Sequence, residues 1–92
     1  MNNMNEFRTS DIFLAVALIC NSVKVEKLER FVNTATSKDY IEFVFEPTLE
    51  CQKIEKDYWN NTLMVDALTF ASEFKNLKAR VFTRMKGGEH SG

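Results

Sequence analysis

The chain has 92 residues, 12 Lys and Arg against 13 Asp and Glu, a formal net charge of −1 and 45% hydrophobic content. This length makes one domain that buries roughly 60–65% of the surface its unfolded form exposes, and the near-neutral balance supplies no general attraction to nucleic acid or an anionic membrane. The only histidine, His90, lies in a tail that also holds all three glycines, Gly87, Gly88 and Gly92. The body therefore lacks both the usual proton shuttle and metal ligand and a glycine loop that could close around a phosphate.

The opening Met1-Asn2-Asn3-Met4-Asn5-Glu6 does not have the positive region and apolar stretch of a secretory signal. Thr9-Ser10-Asp11 reads as a helix start: either hydroxyl can cap the free N–H groups, and Asp11 complements the positive end of the helix dipole. An unbroken apolar run follows over residues 12–20. It is far shorter than the ~20 residues that span a bilayer, and being apolar on all sides it must be covered on most of them. It is expected to be the central helix of the fold. Asn21-Ser22 ends it, with Asn21 the natural substitute for glycine in a left-handed position. Asn33, Asn60 and Asn61 are assigned the same role. The pattern is mixed over residues 24–32, but residues 40–46 alternate cleanly: Ile41, Phe43 and Phe45 on one face, Tyr40, Glu42, Val44 and Glu46 on the other. With the polar loop 33–39 between them, the two strands predict an antiparallel hairpin, its Ile41/Phe43/Phe45 face lying on the first helix.

Pro47 closes the second strand and Thr48 opens a second helix with Glu50 in its first turn. Cys51, Ile54 and Tyr58 form its inward stripe, and Asn60-Asn61-Thr62 ends it. That tripeptide also matches the glycosylation pattern but reads as a turn. Leu63-Met64-Val65 is either a short strand or a buried linker. Asp66 caps a third helix, with Val65 and Phe70 placed as a hydrophobic staple. Phe70, Phe74, Leu77 and Val81 at i, i+4, i+7 and i+11 mark its inner face, and it runs to residues 83–86. The expected architecture is a single α+β domain over residues 1–86, ordered helix-strand-strand-helix-helix, in which a small antiparallel hairpin sheet packs on helices. Residues 87–92 are expected to be a disordered tail.

Thr9-Ser10-Asp11-Ile12-Phe13-Leu14-Ala15, Tyr40-Ile41-Glu42-Phe43-Val44-Phe45-Glu46, Asp57-Tyr58-Trp59-Asn60, and Val65-Asp66 leading to Phe70 and Leu77-Lys78-Ala79-Arg80-Val81 carry a likeness in order and spacing. Over residues 7–82 the chain resembles a family of short bacterial and phage-type proteins known only as a domain of unknown function. The resemblance implies a prokaryotic or mobile-element source, where small domains often modulate larger machines. It lends no activity and no functional residue.

Three surface features are candidate partner-binding sites. Lys75, Lys78, Arg80, Arg84 and Lys86 lie in a stretch without an acid. They are either a phosphate- or acid-binding face or cations gathered by the dipole at a helix C-terminus. Lys78 and Arg80 stand about 200° apart on the helix, so these charges do not share one face. Trp59, beside the inward Tyr58, is either a binding anchor or an edge-of-core ring over Leu63 or Met64. Glu42 and Glu46 with Tyr40 are either a phosphate-mimicking face suited to a basic groove or a solvated strand face. Cys20 and Cys51 read as core thiols, because a nucleophile needs a base or dipole and zinc needs four suitably spaced ligands.

No catalytic, metal or cofactor residues are expected. The reading is a cytoplasmic, non-enzymatic interaction module with reduced thiols and no membrane association. The expected partner is a protein of the host nucleic-acid machinery, such as a nucleic-acid enzyme, on which the domain acts as a phage or mobile-element accessory or inhibitor. The alternative is a nucleic-acid-binding domain using the basic third helix.

Overall fold

The computed structural model describes residues 6–90. The elements are β1 (Phe7–Thr9), α1 (Ile12–Cys20), β2 (Val25–Asn33), β3 (Lys38–Phe45), α2 (Leu49–Trp59) and α3 (Ala67–His90). The fold is α+β, with helices packed on one face of a three-stranded antiparallel sheet of order β1-β3-β2.

Leu14 to Leu18, five consecutive positions that go right round α1, are all buried. Complete cover is what a helix without a polar face requires, and it comes from the sheet, α2 and α3. Ile41, Phe43 and Phe45 supply the sheet's share, Cys51 and Ile54 that of α2, and Leu77 that of α3. Phe70, Phe74 and Val81 pack against the same core half-buried, as the i, i+4, i+7, i+11 spacing predicts. Phe13, which points away from the sheet, is half-exposed and stacks on Phe70 and Phe74 at 6.5 and 5.5 Å.

The hairpin is joined by a β1 strand that the sequence reading did not include. Phe7 pairs with Phe45, Arg8 with Val44 and Thr9 with Phe43, so β3 becomes the central strand. This also corrects the capping assignment. Thr9 belongs to β1 and its hydroxyl accepts from the Asp11 N–H, whereas Asp11 itself is the cap, taking the Phe13 and Leu14 N–H groups on Oδ1. Val44 lies on the outer sheet face yet is fully buried, because its register neighbours are Arg8 and Lys27, long side chains whose stems cover it.

Of the left-handed positions expected at Asn21, Asn33, Asn60 and Asn61, Asn61 is one and the other three are not. The left-handed positions fall at Ser22 (φ 69°), Ser37 (φ 60°) and Asn61 (φ 61°). Asn21 and Asn33 use their amides instead: Asn21 Nδ2 donates to the Ala17 carbonyl, and Asn33 Oδ1 accepts from Ala35 and Thr36 N–H. Asn60 caps α2 at φ −88°. Residues 63–65 form a linker rather than a strand, with Leu63 packed on the core. Asp66 caps α3, its Oδ2 accepting from the Thr69 N–H at 2.9 Å. The helix continues past its expected end at residues 83–86 into the stretch read as a tail, as far as His90. Extending an existing long helix escapes the nucleation cost, so Gly87 and Gly88 do not stop it. Residues 91 and 92 of that tail lie outside the described residues.

One polar bond ties the two ends of the core together: Tyr58 Oη donates to Asp11 Oδ2 at 2.9 Å, joining α2 to the cap of α1. Tyr58→Phe keeps the ring and removes this bond, so denaturant unfolding near neutral pH is expected to show about 1–2 kcal/mol less stability. Burial first, then the bond to Asp11 and its charge, push the phenol up from its ordinary value of 10.0 to about 12. The folded state thus favours the neutral phenol. Its contribution is complete below the unfolded value and is lost as pH rises through about 12. The native chain should lose more stability across that alkaline interval than Tyr58→Phe does.

Candidate functional site

Tyr40 and Glu42 share the outer sheet face, where Tyr40 stacks on Phe31 at 5.6 Å. Glu42 is charge-matched: Arg8 Nη1 reaches its Oε1 at 3.0 Å and Glu29 Oε1 at 2.7 Å, while Arg8 Nη2 reaches Glu6 at 2.8 Å. Lys27 Nζ pairs with Glu29 at 2.9 Å. The Arg8 guanidinium is held charged by Glu29, Glu42 and Glu6, and Lys27 with Arg8 lowers the Glu29 carboxyl below its usual range. Two bases therefore tie up three acids on this face, and the row is not a strip of free negative charge. Glu46 stands apart, exposed beyond the end of β3. Trp59 is 62% exposed, meets Tyr58 edge-on at 4.9 Å and is on α2, not on the sheet face of the Tyr40 pair.

The cations of α3 divide into two groups. Lys75 and Lys78 border a shallow cavity with Ala71, Ser72 and Phe74, and Lys78 Nζ lies 5.5 Å above the Phe74 ring. Lys86 Nζ lies 5.3 Å above Phe82. Arg80 and Arg84 occupy the other side of the helix, toward β2. Arg84 Nε donates to the Leu28 carbonyl at 3.0 Å, while Arg30, paired with Asp39, donates from Nη1 to the Met85 carbonyl at 3.1 Å. These reciprocal arginine bonds fasten the second half of α3 along the outer edge of β2. Leu28 presents its carbonyl away from β3, and the guanidinium satisfies an edge group that would otherwise be free to pair with another strand.

Between this edge and α3 runs a groove of two joined cavities. The first, about 440 Å³, is floored by Ile19, Val23, Val25 and Leu77, with Lys24, Glu73 and Arg80 around it. The second, about 480 Å³, lies between Leu28 and Ala79, with Lys27, Arg80 and Arg84 around it. Arg80 borders both. Among the described residues neither Lys24 nor Arg80 has an ion-pair partner. Of the residues singled out in the sequence, the structure thus unites Arg80 and Arg84, separates them from Lys75 and Lys78, and leaves Tyr40 with Glu42, Glu46 and Trp59 elsewhere. Lys24 and the Val23/Val25 floor were missed. Their only local signal is that they follow directly on the turn ending α1.

The thiols show no sign of activation. Cys20 is pushed up by burial, then by Glu73 and Asp66. Cys51 is fully buried, its Sγ–H directed to the Glu46 carbonyl at 3.4 Å. Both cysteines are free. Among the described residues no cluster of His, Cys, Asp or Glu is suited to hold a metal ion, and no helix is long and apolar enough to cross a membrane.

A small α+β domain with an open, cation-rimmed groove at a sheet edge is the class that fold and site define. The chain belongs to the family described as Domain of unknown function (DUF5659), whose model matches residues 4–83. Comparison with curated proteins and with solved structures found no match.

Arg84→Ala should cost about 1 kcal/mol in urea unfolding through loss of the edge-carbonyl bond and should speed amide exchange along β2. Lys75→Ala, which breaks no bond described here, should stay within about 0.5 kcal/mol.

Proposed function

We propose that this domain is a non-enzymatic binding module for a protein partner and that the groove between β2 and α3 is its recognition surface. The observation that carries the reading is the pairing of an apolar floor, the half-buried Ile19 and Val25 over the buried Val23 and Leu77, with Lys24 and Arg80, which have no ion-pair partner among the described residues. On the outer sheet face Arg8 and Lys27 are matched by carboxylates; Lys24 and Arg80 have no such partner. Apolar floors with a charged rim are how protein interfaces combine affinity with register. A nucleic-acid-binding role for α3 has less support, since its cations divide between two faces and Arg84 is bonded to Leu28. Two free thiols fit a cytoplasmic setting. The likeness to short bacterial and phage-type proteins makes host nucleic-acid machinery the first class of partner to test, with inhibition as the expected consequence.

The test is capture from a lysate of cells carrying the gene, using the immobilised domain, its Arg80→Glu variant and its Lys86→Glu variant, with and without nuclease. A protein retained after nuclease by the native domain and by Lys86→Glu, but lost with Arg80→Glu, is the expected result. Capture that disappears with nuclease transfers the role to nucleic acid. Capture indifferent to Arg80→Glu moves the interface away from the groove.

A further inference from the structure

The groove restricts what can lie in it. From Glu73 to Arg84 it follows α3 for about 16 Å at 1.5 Å per residue, the span of roughly five extended residues. β2 and α3 run in the same sense along it: residues 22–25 face residues 73–80 in the first cavity, and residues 26–28 face residues 79–84 in the second. Arg84 already holds the Leu28 carbonyl, so an occupant is not recognised there by adding a strand to the sheet edge. Recognition falls to side chains. The apolar floor lies beside Lys24 and Arg80, and Arg80 stands at the junction of the two cavities. Arg84 spends its hydrogen bond on a neutral oxygen and keeps its charge. Two acids interrupt this positive run: Glu73 at the first end of the groove and Glu26 on the β2 side of the second cavity.

Resting on the protein-binding reading above, we infer that the groove takes a short acidic segment of the partner bearing one apolar anchor. The anchor seats on Ile19 and Val25, above the buried Val23 and Leu77, and a neighbouring carboxylate meets Arg80. A guanidinium and a carboxylate can form two parallel hydrogen bonds, which fixes the segment's register as well as its charge. Glu73 and Glu26 decide against a polynucleotide. A nucleic-acid strand brings a phosphate with every nucleotide and would set some of them against these carboxylates. A peptide can put its acids at Arg80 and Lys24 and neutral residues opposite the glutamates.

Amide shifts of the isotope-labelled full chain test this in low salt. The probes are two pools of peptides about nine residues long, long enough to overfill the groove, each with a central Leu or Phe. One pool has Asp and Glu flanking the anchor and the other Lys and Arg; a third probe is single-stranded DNA of similar length. The acidic pool should move the amides of residues 23–28 and 76–84. Arg80→Glu should weaken that response at least about tenfold, Lys24→Glu should weaken it too, and Lys86→Glu should leave it unchanged. The dispersion of each spectrum reports whether the variant is folded. If the basic pool moves the same amides as strongly, the acidic specificity is wrong while the groove still binds protein segments. If neither pool moves them, the inference and the binding reading fall together. A stronger response to DNA than to the acidic pool at these amides overturns the inference in favour of a polynucleotide.

Discussion

A helix with no polar face sets the terms for this whole domain. α1 offers nine apolar residues in succession, and in water such a helix exists only if neighbours enclose it. No single element of a chain this short can do so. The sheet covers one side through Phe43 and Phe45, α2 a second through Cys51 and Ile54, and α3 the remaining one through Leu77 and the Phe70/Phe74 rings. Phe13 shows how near the limit this cover is, since it remains half-exposed. The helices are thereby drawn to one side of the sheet, and the other side is closed only by side chains: Arg8 and Lys27 over Val44, held there by Glu6, Glu29 and Glu42.

The groove follows from the same constraint. α3 must cover α1 with its first half, yet it is longer than α1 by a wide margin, 24 residues against nine. Its second half, with Val81 and Met85 still packed on the core, comes alongside β2, the edge strand. An uncovered edge is a hazard in any sheet. Here Arg84 and Arg30 make that approach useful by bonding helix to strand in both directions. Two arginine bonds hold the elements in register without bringing their side chains into continuous packing, and the space left between them is the groove.

What could be read from the residues divides along the same physical lines. Periodicity over many residues was legible: α1, the Ile41/Phe43/Phe45 face and the α3 stripe each repeat a pattern long enough to have one interpretation. Phe7-Arg8-Thr9 has only three residues, fewer than an alternation needs, and Thr9 looks like a cap because strand end and helix cap lie two residues apart. The left-handed turns were misplaced for a chemical reason. Asparagine both tolerates that backbone and bonds to nearby backbone groups, and at positions 21 and 33 the second property prevailed, leaving the left-handed geometry to Ser22 and Ser37. For the site, the angle between Lys78 and Arg80 already separated two faces of α3. That Arg80 would share a cavity with Lys24 depends on where the α1–β2 turn lies in space, and no local pattern encodes it.

Charge pairing is the better guide to where this surface acts. Five charged residues on the outer sheet face are tied to one another and to the task of covering Val44. Moving any of them to meet a partner would break existing ion pairs and expose the buried valine, so binding there would begin with a loss. Lys24 and Arg80 have no ion-pair partner among the described residues, and the half-buried Ile19 and Val25 beside them are still in contact with water. Desolvating that surface gains free energy, while the guanidinium meets a carboxylate without first giving up another. Of the two faces, the groove is therefore the one on which the proposed recognition would begin without breaking an existing ion pair.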